Sequence, residues 1–341
     1  MNSLLVYPDY TKFDYLPQNM EGHDLTLLAT AWKQIREAAG VSFILFRIMV
    51  PVVIAVKILG ELGLVKYIAT AFEPVMSLVG LPGEMGLVWA TAVVTNMYGG
   101  IVIFASIAPG LHMSTAQITV IACMILVAHS MAVETTIARK TGVRIRFMIP
   151  FRILCALLFG FILNTVYTLG GFLQEEGHIL WEASPGNDSL GSWAFSQLQN
   201  LAVIFFIVLV LIILMKILDR LGITRIMNTL LEPVLTSMGI GRSASAVTIL
   251  GMVLGISYGG GLIIRDVNSG KLSSRDVFFS ISLMGLSHAI VEDTLLMMSL
   301  GGSITGVLFG RIAFTWIVIS CLVRFIRKTS DTVFYRYFFR R

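Results

Sequence analysis

The sequence predicts an all-α polytopic membrane protein: an inverted repeat of about six transmembrane helices, two re-entrant helical hairpins and two interfacial helices. Three observations carry this expectation. The chain is 56% hydrophobic and only 13% charged, with mean hydropathy +0.84, whereas a soluble domain carries roughly 25% charged residues. Windows almost free of charge recur, among them Ser42–Val56, Gly86–Pro109 and Val203–Met215. Helices satisfy their own backbone in lipid, and the alternation of a membrane barrel is missing. The third observation is internal duplication.

The stretch VKILGELGLVKYIATAFEPV, from Val56 to Val75, aligns without a gap on MKILDRLGITRIMNTLLEPV, from Met215 to Val234. Lys57 falls on Lys216, Gly63 on Gly222, Glu73 on Glu232 and Pro74 on Pro233. The same offset puts Gly80 on Gly239, Ser114 on Ser273, His129 on His288, Thr135 on Thr294, Gly142 on Gly301 and Arg152 on Arg311, with Glu134 on Asp293. A ladder of this length marks a duplicated unit.

Taken in order, Leu25–Gly40 reads as an amphipathic helix leading into the first span, within an N-terminal segment, residues 1–41. The first repeat, 42–172, holds apolar segments at Val41–Gly60, Glu84–Ala108, Thr115–Ala138 and Phe147–Phe172. Leu64–Val79 is interrupted by Lys66, Glu73 and Pro74 and reads as an interfacial helix. A linker covers 173–200, the second repeat 201–328, and a basic aromatic tail 329–341. The tail reads as a stop-transfer flank anchored at lipid headgroups.

Charge sets the sidedness. Arg139, Lys140, Arg144 and Arg146 follow the third segment, and Arg324, Arg327, Lys328, Arg336, Arg340 and Arg341 follow the last. Both clusters are expected in the cytoplasm. The linker stretch Leu173–Trp193 has acids and no Lys or Arg, so it is expected outside. The repeats therefore end on opposite faces, which requires an odd number of crossings in each. Four apolar segments are even, so one must enter and return. The second segment carries Tyr98-Gly99-Gly100 near its middle, and glycine interrupts helices readily. That predicts a hairpin with its tip there, and a partner hairpin over Ser243–Asp266 with its tip at Tyr258, Gly259, Gly260 and Gly261.

The order of span, interfacial helix, hairpin, span and span, twice over with inverted topology, resembles the concentrative nucleoside transporter fold and the Gate, or nucleoside-recognition, family. That family includes the membrane gates of a ferrous-iron permease and the spore-maturation membrane proteins. The resemblance rests on the paired EPV stretches, the paired YGG hairpins and the paired His-bearing helices, and covers Ser42–Arg327. It implies architecture rather than solute. The hairpins lack the Gln-Thr-Glu and Asn-Glu signatures associated with nucleoside carriers, and no Cys lies near either one. No P-loop pattern is present.

The stretch VAHSMAVETT places His129 and Glu134 in an apolar run, where a charge costs about 2.5–3.5 kcal/mol on insertion scales. His129 lies about 10 residues, or roughly 15 Å, before the basic cluster, near the middle of the bilayer. On a regular helix His129 and Glu134 diverge by about 140°; a break near Ser130 would bring them together. His288 and Glu292 share a helical face by their spacing. The expected substrate or ion site is His129, Glu134, Thr135, His288, Glu292, Asp293 and Thr294, with Asn96, Tyr98, Ser257 and Tyr258 from the hairpins and Gly99, Gly100, Gly259 and Gly260 at their tips. The blander alternative is that these groups only pin the repeats together.

The functional expectation is a secondary transporter for a small polar or anionic solute. It would work by alternating access and couple to H⁺ rather than Na⁺, since histidine titrates near neutrality. Two readings stay open beside it: a divalent-metal permease, and a non-transporting scaffold or lipid-handling partner. No nucleophile–base pairing or HExxH motif points to an enzyme. No organic cofactor, nucleic acid or Cys-type metal site is expected. Cys123, Cys155 and Cys321 are far apart in apolar runs, and the net charge of +5 serves topology. The expected partners are a solute and the bilayer, with homo-oligomerisation open. The expected location is a bacterial inner membrane, C-terminus cytoplasmic.

Overall fold

The computed structural model describes residues 23–177, 189–255, 263–267 and 272–340. Among them there is no β-strand, only the isolated bridges Ser114–Glu176 and Val143–Phe339. The first repeat contains α1 (His23–Glu61), α2 (Leu64–Leu78), α3 (Met85–Val94), α4 (Met97–Ile107), α5 (Thr115–Val127), α6 (Met131–Lys140) and α7 (Ile145–Gly170). The second contains α8 (Leu190–Arg220), α9 (Ile223–Met238), α10 (Arg242–Leu254), α11 (Ser274–Leu286), α12 (Ile290–Ser299) and α13 (Arg311–Lys328), the last entered through a π-helical turn at Thr305–Gly310. A short α14 (Asp331–Tyr337) follows.

The repeat seen in sequence is also a repeat of backbone. Displaced by the spacing of His129 and His288, α5 coincides with α11 and α6 with α12 at both ends. Positive φ recurs at Gly63 and Gly222, at Gly80 and Gly239, and at Gly142 and Gly301. Ser114 and Ser273 cap α5 and α11, each accepting from the backbone N–H three residues on.

Among the described residues, six helical stretches are long and apolar enough to cross a bilayer: Trp32–Glu61, Thr115–Lys140 and Ile145–Gly170 in the first repeat, Leu190–Leu218, Ser274–Ser299 and Thr305–Lys328 in the second. Three per repeat is the odd number that an inverted pair requires. Packing agrees. Along α7 and α13, Phe159 stacks on Phe314 with ring centroids 4.6 Å apart, Leu163 lies beside Gly310, and Tyr167 Oη meets Thr305 Oγ1 at 3.0 Å. One number rises as the other falls, so these equivalent helices run antiparallel. The same holds for α1 and α8, where Glu37 pairs with Lys216 and Lys57 lies 5.8 Å from the ring centroid of Trp193. Equivalent helices crossing in opposite directions are what a pseudo-twofold axis in the membrane plane produces.

The two broken spans, α5–α6 and α11–α12, are 78% buried over their most apolar windows, against 17% for α1 and 18% for α8. The broken spans form the centre. The long peripheral helices show Phe43, Ile54, Ile58, Phe206 and Val210 to the lipid side.

The Leu25–Gly40 segment lies within α1 and leads directly into the first span, the helix running from His23 to Glu61 with Pro51 inside it. Of the expectations above, the tip of the first hairpin needs correction. The tip is Thr95–Asn96, not Tyr98-Gly99-Gly100. Asn96 is extended and its side chain accepts from Gly99 N–H, so the glycines belong to the first turn of α4. They are small because α3 lies against them: a Cβ on Gly100 would sit 2.7 Å from Ala92 Cβ and 3.3 Å from Val88 O. The tip of the second hairpin, with Ser257, Tyr258, Gly259 and Gly260, lies outside the described residues. Finally, the tail docks on protein. Phe334 and Phe339 are buried, Arg144 donates to the Tyr335 and Phe339 carbonyls, and Arg275 pairs with Asp331 at 2.8 Å.

Candidate functional site

The centre is built from two breaks. α5 ends at Val127 and α6 begins at Met131, with Ser130 at φ 49° between them; α11 ends at Leu286 and α12 begins at Ile290, with Ala289 at φ 43°. These are equivalent positions, and a non-glycine residue in the left-handed region costs roughly 1–2 kcal/mol. Breaking a helix in lipid also strands carbonyls. Arginine relieves them. Arg152 Nε donates to Val127 O at 3.0 Å. Its mate Arg311 donates from Nε to Leu286 O at 3.3 Å and from Nη2 to His288 O at 3.0 Å. The last turn of α3 joins the same break, where Ser130 N–H donates to Ala92 O at 3.0 Å.

Each arginine then grips an acid in the first turn of the following half-helix, where the helix dipole also favours negative charge. Arg152 Nη1 stands 2.8 Å from Glu134 Oε2 and Nη2 donates to Oε1 at 3.1 Å. Arg311 Nη2 lies 3.2 Å from Asp293 Oδ2. Both guanidinium groups are essentially inaccessible, at 0% and 1% exposure. Neither arginine is named as a site residue from sequence. The available signal was that they are matched across the duplication inside apolar segments.

The break at Ser130 brings His129 and Glu134 together, with His129 Nε2 3.7 Å from Glu134 Oε1. His288 reaches the same oxygen across the axis, Nε2 to Oε1 at 3.9 Å, and the imidazole centroids are 5.1 Å apart. His129 Nδ1 bonds to Ile125 O at 2.9 Å and His288 Nδ1 to Met284 O at 2.7 Å. A carbonyl only accepts, so Nδ1 carries the proton in both rings and a neutral ring presents its Nε2 lone pair to the centre.

The second break separates His288 from Glu292, so their shared-face expectation fails. Glu292 Oε1 instead accepts from Tyr98 Oη on the hairpin at 3.2 Å. Asn96 is spent as a cap. Thr135 Oγ1 donates to Met131 O at 2.6 Å, which removes it from the centre. Thr294 Oγ1 is buried with no hydrogen-bond partner among the described residues, as are Asp293 Oδ1 and Arg311 Nη1.

No protein-family model matches the chain, and no solved structure matches it. The chain is 27% identical over 258 residues, 75% of its length, to the uncharacterized membrane protein YvoD of Bacillus subtilis (strain 168), covering 81% of that protein. Six apolar spans among the described residues and likeness to a membrane protein point the same way. The chain is an all-helical, multi-pass membrane protein. Its polar centre lies where two broken spans of opposite direction cross, and no enclosed polar group elsewhere in the described core combines histidine with acid on both repeats.

Proposed function

We propose that the chain is a secondary transporter of a small polar or anionic solute, working by alternating access and coupled to protons. The contact between Tyr98 and Glu292 carries this reading. At the centre, Glu134 and Asp293 each have an arginine. Glu292 meets the neutral phenol of Tyr98. With neutral imidazoles, the three acids among the described residues outnumber the two guanidinium groups by one. One unmatched negative charge inside a bilayer calls for a cation, and a proton is the smallest that serves. Tyr98 belongs to the hairpin of one repeat and Glu292 to the broken span of the other. Protonating Glu292 exchanges a charge-assisted acceptor for a neutral carboxyl and weakens the bond between the two bodies. That links proton occupancy to hairpin position, the link a coupled carrier needs. Broken helices at membrane depth and a hairpin that does not cross support the same reading.

The test is proton movement in proteoliposomes carrying an internal pH dye, offered nucleosides, organic acids and amino acids in turn. One solute class is expected to drive proton entry. Glu292→Gln is expected to abolish proton entry while leaving solute exchange at equilibrium. Coupled entry that persists at the wild-type rate in Glu292→Gln removes the proposed role of this acid.

A further inference from the structure

We infer that His129, Glu134 and His288 form a binding site for a divalent transition-metal cation of the zinc class, clamping the two repeats together at their crossing. This goes beyond the carrier reading and does not depend on it: the metal site uses neither Glu292 nor Tyr98.

One ligand atom from each of His129, Glu134 and His288 lies within 4.8 Å of the others, with all three residues buried, and both Nε2 atoms face Glu134 Oε1. Both Nε2 atoms present lone pairs, because both Nδ1 protons are committed to backbone carbonyls. A histidine whose other nitrogen donates to a carbonyl is the usual form of a metal-bound imidazole, since that bond fixes tautomer and ring orientation. At 3.7 and 3.9 Å the nitrogens are too far from Oε1 for hydrogen bonds. A zinc ion about 2.1 Å from each donor needs nitrogen and oxygen about 3.4 Å apart, which closes those gaps by a few tenths of an ångström. The remaining adjustment is a swing of the two rings toward each other.

Arg152 approaches the carboxylate as well, through Oε2 and Oε1. A carboxylate offers about four lone-pair sites, so it can hold the guanidinium and still present one to an ion. Sharing the carboxylate reduces its charge toward the metal. Hard cations such as Mg²⁺ and Ca²⁺, which want six or more oxygens, are disfavoured, while Zn²⁺, Co²⁺ and Ni²⁺, which accept imidazole, are favoured. Three protein donors leave one tetrahedral position open. Because His129 and Glu134 come from one repeat and His288 from the other, the ion would hold the crossing in the arrangement seen here.

The probe is Co²⁺ added to the full-length chain, purified in detergent and stripped with a chelator. One equivalent per chain is expected to give the visible bands of tetrahedral Co²⁺, displaced by Zn²⁺ and unaffected by excess Mg²⁺. His129→Ala and His288→Ala are each expected to weaken binding about tenfold or more and to change the bands. X-ray absorption of the Zn²⁺-loaded wild type keeps the inference testable if a variant fails to fold, with two imidazoles expected in the shell. The inference is overturned if monodisperse wild-type protein retains no metal. A spectrum unchanged in both variants overturns it too, as does a zinc shell without two imidazoles. None of these outcomes bears on the Glu292 transport test.

Discussion

Arg152 grips Glu134 with two nitrogens, at 2.8 and 3.1 Å, while its Nε holds the Val127 carbonyl at the helix break. One side chain thus closes the break and neutralises the acid beyond it. Removing it with Arg152→Ala strands a buried carboxylate and a carbonyl together, and is expected to lower stability by about 3–5 kcal/mol. Arg152→Lys is expected to recover little, since an ammonium cannot reproduce the planar fork. Unfolding in mild detergent reads this directly. A melting temperature for Arg152→Ala equal to wild type would show that the pair does not hold the break.

The second repeat offers a natural control. Asp293 is one methylene shorter than Glu134, and Arg311 reaches it through Nη2 alone, leaving Arg311 Nη1 and Asp293 Oδ1 without hydrogen-bond partners among the described residues. Asp293→Glu restores the length used in the first repeat. It is expected to raise stability by about 1 kcal/mol, the scale of one added buried bond. The reciprocal Glu134→Asp is expected to lower it similarly. A matched pair of thermal melts decides the point; a fall for Asp293→Glu would mean the pocket has no room for the methylene.

Much of this fold was legible because membranes simplify the problem. Hydropathy marks spans, lysine and arginine mark faces, and a duplication exposes the symmetry. The pairing of His129 with Glu134 was legible only conditionally, because spacing alone cannot say whether a helix is continuous at Ser130. The hairpin turn was misplaced for a related reason. Glycine marks both a turn and a close approach, and at Gly100 the approach of Ala92 is what demands it. Arg152 and Arg311 went unassigned because a lone arginine in an apolar run does not reveal the backbone carbonyls it serves.

Gly100 yields a steric prediction. Gly100→Val puts atoms where Ala92 Cβ would be 2.7 Å from the new Cβ, so α3 and α4 must separate, at a cost of about 1–3 kcal/mol. Gly306→Ala, whose Cβ would meet Thr119 Cγ2 at 2.4 Å and Tyr167 Oη at 2.8 Å, is expected to cost a comparable amount. Gly60→Ala has nothing within 4 Å and should be neutral or slightly stabilising, because alanine favours helix by up to about 1 kcal/mol. Melting temperatures of the three variants test the ranking. A neutral Gly100→Val would mean the hairpin packs more loosely than described.

The inversion can be tested by chemistry in two ways. In a background without native cysteines, Phe159→Cys with Phe314→Cys, and separately Tyr167→Cys with Thr305→Cys, are both expected to cross-link. The rings of the first pair stack at 4.6 Å and the hydroxyls of the second meet at 3.0 Å. A parallel arrangement of α7 and α13 can satisfy one pair but not both. Sidedness adds an independent reading. Glu175 follows the third span and Lys328 ends the sixth, both exposed. An impermeant thiol reagent applied to intact cells is expected to label Glu175→Cys and to miss Lys328→Cys until the membrane is opened. Labelling of both from the same side would break the twofold relation, and with it the meeting of His129 and His288 at the crossing of the repeats.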